Sequence, residues 1–217
     1  MIAAPLVSCI VPTHNSTRYL AEALASIRAQ SHRPIELIVA DDESSDDVEA
    51  VAACFSARFV RHRRAGPPAT RNLGVAAATG ELVAFLDADD LWLPEKLERQ
   101  VARLAAEPGL DACTTHIRRF RAGAPPGPAL PGMLSTTLLA RRAAFARVGG
   151  FAPALWYADS ADWFLRAADA GLAVALLPDA LTLHREHGDN LSRRGDASAR
   201  EFLRVIKATL DRRRGPG

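Results

Sequence analysis

Apolar residues come in short blocks separated by amphipathic stretches. Leu6 to Val11 is a compact apolar run closed by Pro12, the pattern of a buried strand. From Ser16 to Gln30 the spacing changes, and Leu20, Leu24 and Ile27 fall on one helical face. A second buried strand, Ile35 to Ala40, runs into Asp41 and Asp42. Asp46 to Phe55 reads as a helix and Arg58 to His62 as a short third strand. Pro67 to Ala78 predicts a helix with proline at its start, stopped by Gly80. Leu82 to Leu86 is a fourth strand, followed at once by Asp87, Ala88, Asp89 and Asp90. Strands alternating with helices predict a mostly parallel α/β sheet covered by helices on both faces, a Rossmann-like, doubly wound pattern.

The second half is less regular. Pro94 to Ala106 carries Leu97, Val101 and Leu104 as a helical stripe, and Asp111 to Arg119 predicts a strand. Ala122 to Gly132 is rich in proline and glycine and predicts a long loop, a feature that compact domains use for function. A short helix over Arg142 to Val148 stops at Gly149 and Gly150. Ala161 to Ala170 reads as a helix, Ala173 to Leu177 as a strand, and Ala197 to Arg214 as a helix with a basic end. With no repeat and no linker, the pattern predicts one domain over residues 1–217.

Composition narrows the function classes. The chain has 217 residues, 48% hydrophobic and 24% charged, which excludes a disordered or fibrous protein. A net charge of +2 supplies no field for nucleic acid, and 6% aromatic content supplies no stacking platform for single strands. Cys9, Cys54 and Cys113 are scattered, without the spacing of a metal site or of a disulfide framework, so a reducing, cytoplasmic setting is expected. Met1 to Pro12 lacks a basic leader and is broken by prolines, so it reads as a strand. No run approaches the roughly 18 apolar residues of a membrane span. The arginine clusters around Arg58 to Arg64 and at Arg212 to Arg214 read as solvated faces, the latter giving at most a weak peripheral contact with an anionic membrane.

Carboxylates at the carboxyl ends of parallel strands are candidate site residues by position alone. Asp41 and Asp42 end the second strand, while Asp87 and Asp89 end the fourth and point the same way if the strand persists. Clustered carboxylates repel unless a cation lies between them. A hard divalent ion, Mn²⁺ or Mg²⁺, suits such a set and takes its remaining ligands from waters and substrate phosphates. For Asp90 the competing reading is a cap on the next helix.

Five motifs in order then resemble the family 2 glycosyltransferases of GT-A fold. They are VSCIVPTHN (7–15), IVADDESSDD (38–47), ATRNLG (69–74), GELVAFLDADD (80–90) and HGDNLS (187–192). The resemblance implies an inverting, metal-dependent transfer of a sugar from a nucleoside diphosphate sugar to an acceptor hydroxyl. It puts Pro12, Thr13 and Asn15 around the nucleotide, and Asp41 against the ring N–H of the base, typically uracil, which favours a UDP-sugar. Arg71 would meet the base or pyrophosphate. Asp87, Ala88 and Asp89 would be the DXD motif, with Asp87 at the ribose or a metal-bound water, Asp89 on the metal, and His187 completing its shell or meeting the diphosphate. Residues 1–90 would be the nucleotide half. Residues 91–217, with the 122–132 loop, would bind an acceptor that the sequence leaves open among glycan, lipid-linked glycan, peptide and small molecule.

The base is where the chain departs from the family. The family's Glu-Asp pair falls on Asp159 and Ser160, and a serine at ordinary pKa cannot take the acceptor's proton. Asp159 then serves, or the register shifts to Asp162, or the chain is an impaired module that binds nucleotide sugar or a partner without turning over. Asp162 has the competing role of anchoring the following helix. Trp92 and Trp163 are candidates for flanking a sugar, with core packing as the alternative.

Overall fold

The computed structural model describes residues 4–188, 190 and 195–214. The distal motif therefore lies partly outside the described residues, at Asp189, Leu191 and Ser192.

One mixed sheet organises the chain. β1 (Val7–Thr13), β2 (Ile35–Asp42), β3 (Arg58–His62) and β4 (Leu82–Phe85) are parallel, and β6 (Ala112–Phe120) and β9 (Val174–Arg185) form a second parallel pair. β5 (Leu91–Trp92), β7 (Ala129–Leu130) and β8 (Leu139–Arg141) join antiparallel. The order is β3-β2-β1-β4-β8-β6-β9-β5, with β7 on β6. Most paired positions are parallel, as the alternation of strands and helices predicted. Pro12 sits inside β1 without breaking it, because pairing with β4 stops at Ile10 and no partner there needs its missing N–H.

The period-2 alternation of the strands divides the core in two. Val7, Cys9, Val11, Leu37 and Val39 face α1 (Thr17–Arg28), α2 (Val48–Cys54) and α4 (Lys96–Ala106). Ile10, Ile38, Val83 and Phe85 face the other way, towards α3 (Pro67–Ala77), α5 (Arg142–Val148) and α6 (Asp159–Asp169). Gly74 is required on α3, since a Cβ there would stand 2.2 Å from the Ile10 side chain. The last helix, α7 (Gly195–Arg214), packs on α6.

Three differences from the sequence reading matter for the site. β4 ends at Phe85, and a turn closed by Asp90 N–H on the Asp87 carbonyl (3.0 Å) follows, so Asp87 and Asp89 do not lie on a persisting strand. α6 begins at Asp159, two residues earlier than predicted, which sets Asp159 and Asp162 in its first turn. β9 continues to Arg185, past Pro178, because its far half pairs with both β6 and β5. That extension carries His184 to the carboxyl ends of the parallel strands. Cys9 and Cys113 are buried, as their apolar surroundings suggest, but Cys54 is exposed.

Candidate active site

A cavity of about 830 Å³ opens where β1, β2 and β4 end, and the far ends of β6 and β9 close it. Of the residues singled out from the sequence, Pro12, Thr13, Asn15, Arg71, Asp87, Ala88, Asp89, Asp159 and His187 line it. Asp41 and Asp162 do not. The loop after β1 is held by Asn15, whose backbone is left-handed (φ 51°) and whose Oδ1 accepts from the Ser45 N–H at 2.8 Å. His14 lies beside it, with Nδ1 2.8 Å from the Asp42 carbonyl.

Adjacent residues on a strand point to opposite faces, and this separates the two carboxylates of β2. Asp41 is fully buried, taking Arg61 Nε at 2.6 Å and the Ser44 hydroxyl and N–H. Asp42 lines the cavity, where its carboxylate accepts from the N–H groups of Ala65 (2.7 Å) and Gly66 (3.1 Å). The base-recognition role given to Asp41 is therefore corrected. The carboxylate that reaches the cavity wall is Asp42, and Asp41 holds β2 to Arg61 on β3.

Arg71 occupies the centre. Its Nη1 donates to Asp159 Oδ2 at 2.6 Å and its Nη2 to Asp87 Oδ1 at 2.7 Å, so one guanidinium joins α3, the β4 turn and α6. Burial works against this charge, but Asp159 and Asp87 outweigh it and keep Arg71 firmly protonated. For Asp159 burial dominates instead, lifting the carboxyl above its ordinary range although Arg71 pulls the other way. Asp87 is thus engaged with Arg71 and not with Asp89. Arg71 Nε and Thr13 Oγ1 are buried without a protein partner, two orphaned polar atoms on residues of one cavity wall. Such atoms ask for a polar ligand.

Asp89 Oδ2 lies 2.8 Å from His187 Nε2 and accepts from Asn190 Nδ2 at 3.3 Å. Among the described residues no cluster of three or more His, Cys, Asp or Glu side chains could hold a metal. The Asp89–His187 pair supplies one hard oxygen and one imidazole nitrogen, which fits a divalent ion taking its other ligands from waters and phosphate. Asp90 caps no helix. It is fully buried and accepts from the Arg185 N–H at 2.9 Å and the Thr136 hydroxyl at 3.3 Å, with His184 Nδ1 at 3.1 Å. The Asp90 carboxylate raises His184 above the ordinary imidazole range, favouring its charged form beside Asp90.

A model of the family described as glycosyl transferase family 2 matches residues 8–156. The chain belongs to that family. An uncharacterized glycosyltransferase of Nostoc is 41% identical over 101 residues, 44% of this chain and 31% of the relative. The Escherichia coli UDP-Glc:alpha-D-GlcNAc-diphosphoundecaprenol beta-1,3-glucosyltransferase WfgD is 33% identical over 103 residues, 46% of this chain and 41% of its own length. The chain thus spans less than half of these relatives. Among solved structures, the mannosyltransferase PcManGT of Pyrobaculum calidifontis, in complex with GDP-Man and Mn²⁺, superposes with a TM-score of 0.80 at 21% identity, covering 97% of this chain and 66% of that one. Staphylococcus aureus TarS with UDP-GlcNAc gives 0.75 at 21% identity, over 94% and 65%. These likenesses establish the GT-A fold.

Against the family 2 pattern, Ser160 does not stand empty-handed. Its Oγ accepts from the Ser135 N–H at 3.2 Å, and its N–H donates to Asp159 Oδ1 at 2.7 Å, so it fixes the neighbouring carboxylate. Asp162 pairs with Arg166 at 2.7 Å, and Arg166 in turn holds the carbonyls of Val148 and Gly150 at 2.8 Å, a structural anchor. Trp92 and Trp163 are core residues, 3% and 0% exposed. The tryptophan on the cavity is Trp156, set over Arg64 and packed so closely on Gly66 that a Cβ there would meet its ring at 2.4 Å. Sequence reasoning passed over Trp156 because it lies in an irregular stretch with no periodicity. It named Asp41 and Asp42 together but gave the base to Asp41, because two identical neighbours carry no mark of which faces inward.

Proposed function

We propose that the protein is an inverting glycosyltransferase, moving a sugar from a UDP-sugar to an acceptor hydroxyl with Asp159 as the general base and Mn²⁺ or Mg²⁺ held at Asp89 and His187. The observation that carries this reading is the single cavity that holds the Asp89–His187 pair and the buried Asp159, joined through Arg71 and Asp87. The ligands named for PcManGT and TarS, GDP-Man with Mn²⁺ and UDP-GlcNAc, support a nucleoside diphosphate sugar as donor.

Each residue has a task that follows from its surroundings. Asp42, fixed by two backbone N–H groups, keeps lone pairs for the ring N–H of a base. Thr13 and Arg71 bring the orphaned donors that sugar and phosphate oxygens would satisfy. Asp159, with its proton affinity raised by burial, takes the acceptor's proton as the hydroxyl attacks the anomeric carbon from the face opposite the leaving group. The metal, when bound, offsets negative charge on the departing nucleoside diphosphate. Residues 1–90 make up the donor half. Residues 91–217 make up the acceptor half, where Leu134 and Arg121, flanking the 122–132 loop, reach the cavity. Three free cysteines fit a reducing, cytoplasmic setting.

The test is calorimetric titration of UDP, with dTDP and GDP as controls, with and without Mn²⁺. Selective UDP binding strengthened by Mn²⁺ is expected. Silence with all three nucleotides would refute the reading, and preference for GDP would reassign the base.

A further inference from the structure

α7 is fastened to the body along one side only. Val205 and Thr209 are buried, Arg212 and Arg213 pair with Asp169 of α6, and Glu201 accepts from the N–H groups of Tyr157 (2.7 Å) and Ala158 (3.3 Å). The next face round the helix carries Phe202, Leu203, Ile206 and Leu210, exposed by 48%, 66%, 38% and 47%. At about 100° per residue these four form one continuous stripe, adjoining the buried one. Beyond it stand Arg200, Arg204, Lys207 and Arg214, all exposed and without an ion pair among the described residues, with the exposed Asp211 among them, so the face keeps a net positive charge. Four large apolar side chains in water beside four unpaired cations have no account within the fold.

We infer that the outer face of α7 is a docking surface for an anionic lipid bilayer, lying in the plane of the interface. The chemistry of the face selects this occupant. Phe and Leu side chains on one side enter the acyl boundary, while arginine and lysine at the edge meet lipid phosphates. No described helix is long and apolar enough to cross a membrane. The inference stands on α7 alone and does not depend on the reaction proposed above. It bears on that reaction, because Ser198 in the first turn of α7 lines the cavity. Phe202 follows one turn later, about 6 Å along the axis. A docked α7 holds the cavity at the bilayer surface, the place for an acceptor presented there.

Co-sedimentation of the full chain with vesicles tests this. Phosphatidylcholine vesicles are compared with vesicles containing phosphatidylglycerol, at low and high salt. Binding to the anionic vesicles only, weakened by salt, is expected. Phe202→Ser with Leu203→Ser should lower that binding tenfold or more, in keeping with loss of the inserted side chains. Arg204→Gln and Lys207→Gln should each lower it about fivefold, the worth of one charge near such a surface. Both sets of positions are exposed, so unchanged circular dichroism is expected alongside, and UDP titration of the same variants separates docking from nucleotide binding. No sedimentation with anionic vesicles overturns the inference. Self-association that the Phe202→Ser, Leu203→Ser variant abolishes also overturns it, since the stripe would then belong to a second copy.

Discussion

Lys96 offers a sharp test of the energetics. Its side chain is fully buried in the α4 face of the core, with Nζ donating to Gln100 Oε1 at 2.8 Å and standing 4.1 Å from the centre of the Trp92 ring. No carboxylate pairs with it among the described residues, and its neighbour Cys9 is pushed up to about 12 by burial, so no thiolate forms nearby. Burial lowers Lys96 itself from 10.5 to about 7. In the window between those values the unfolded chain binds a proton that the folded chain lacks, so stability rises with pH. The slope is about 1.4 kcal/mol per pH unit over most of the window, or about 2 kcal/mol between about pH 7 and about pH 9. Lys96→Met removes this dependence. It also deprives Gln100 Oε1 of its donor, at about 1–3 kcal/mol, but that cost is the same at every pH. Urea unfolding followed by circular dichroism should therefore show wild type gaining about 2 kcal/mol on the variant between about pH 7 and about pH 9, other groups cancelling in the difference. Two stability curves that stay parallel across that range would refute the reasoning.

Other substitutions separate the roles within the cavity. Asp89→Asn should abolish Mn²⁺-strengthened nucleotide binding with little change in melting temperature, and unaltered Mn²⁺ dependence in calorimetry would remove Asp89 from the metal. Asp159→Asn should cut turnover by about 10²–10⁴ while UDP affinity survives. Asp162→Asn should instead lower stability by freeing Arg166, and a fully stable but inactive Asp162→Asn protein would move the base to Asp162. Asp42→Ala should weaken nucleotide binding, whereas Asp41→Ala should act on melting temperature through Arg61; the opposite assignment in paired titrations would restore Asp41 as the base reader.

The regular half of the fold was legible because its strands are short apolar blocks and its helices have clean stripes. Val7–Thr13 to Leu82–Phe85 follow the predicted order with shifts of one or two residues. Most elements of the less regular half were legible too, among them the helix over Arg142 to Val148, and what was missed there has local reasons. Leu91–Trp92 and Leu139–Arg141 are too short to show a period, and both become strands through partners supplied by the tertiary fold. Pro178 hid the continuation of β9. At the site, residue types and spacing brought most of the right side chains together. Which of two adjacent carboxylates faces the cavity, and that Asp87 turns to Arg71, depend on strand phase and on a partner distant in sequence. The buried Lys96 was invisible for a related reason, since a lysine opening a helix reads as solvated.

The phase of β2 has a consequence for how this gene tolerates length changes. Asp41 and Asp42 serve opposite faces of one strand, so inserting or deleting a single codon between Ile35 and Ala40 would not trim the site. It would swap the faces of the two carboxylates, presenting to the cavity the one now committed to Arg61 and burying the other against the wrong neighbours, and it would invert the apolar contacts on the carboxyl side of the change. A one-residue change of length is therefore expected to be tolerated in the connections and not within β2, where chain length and binding register are one quantity.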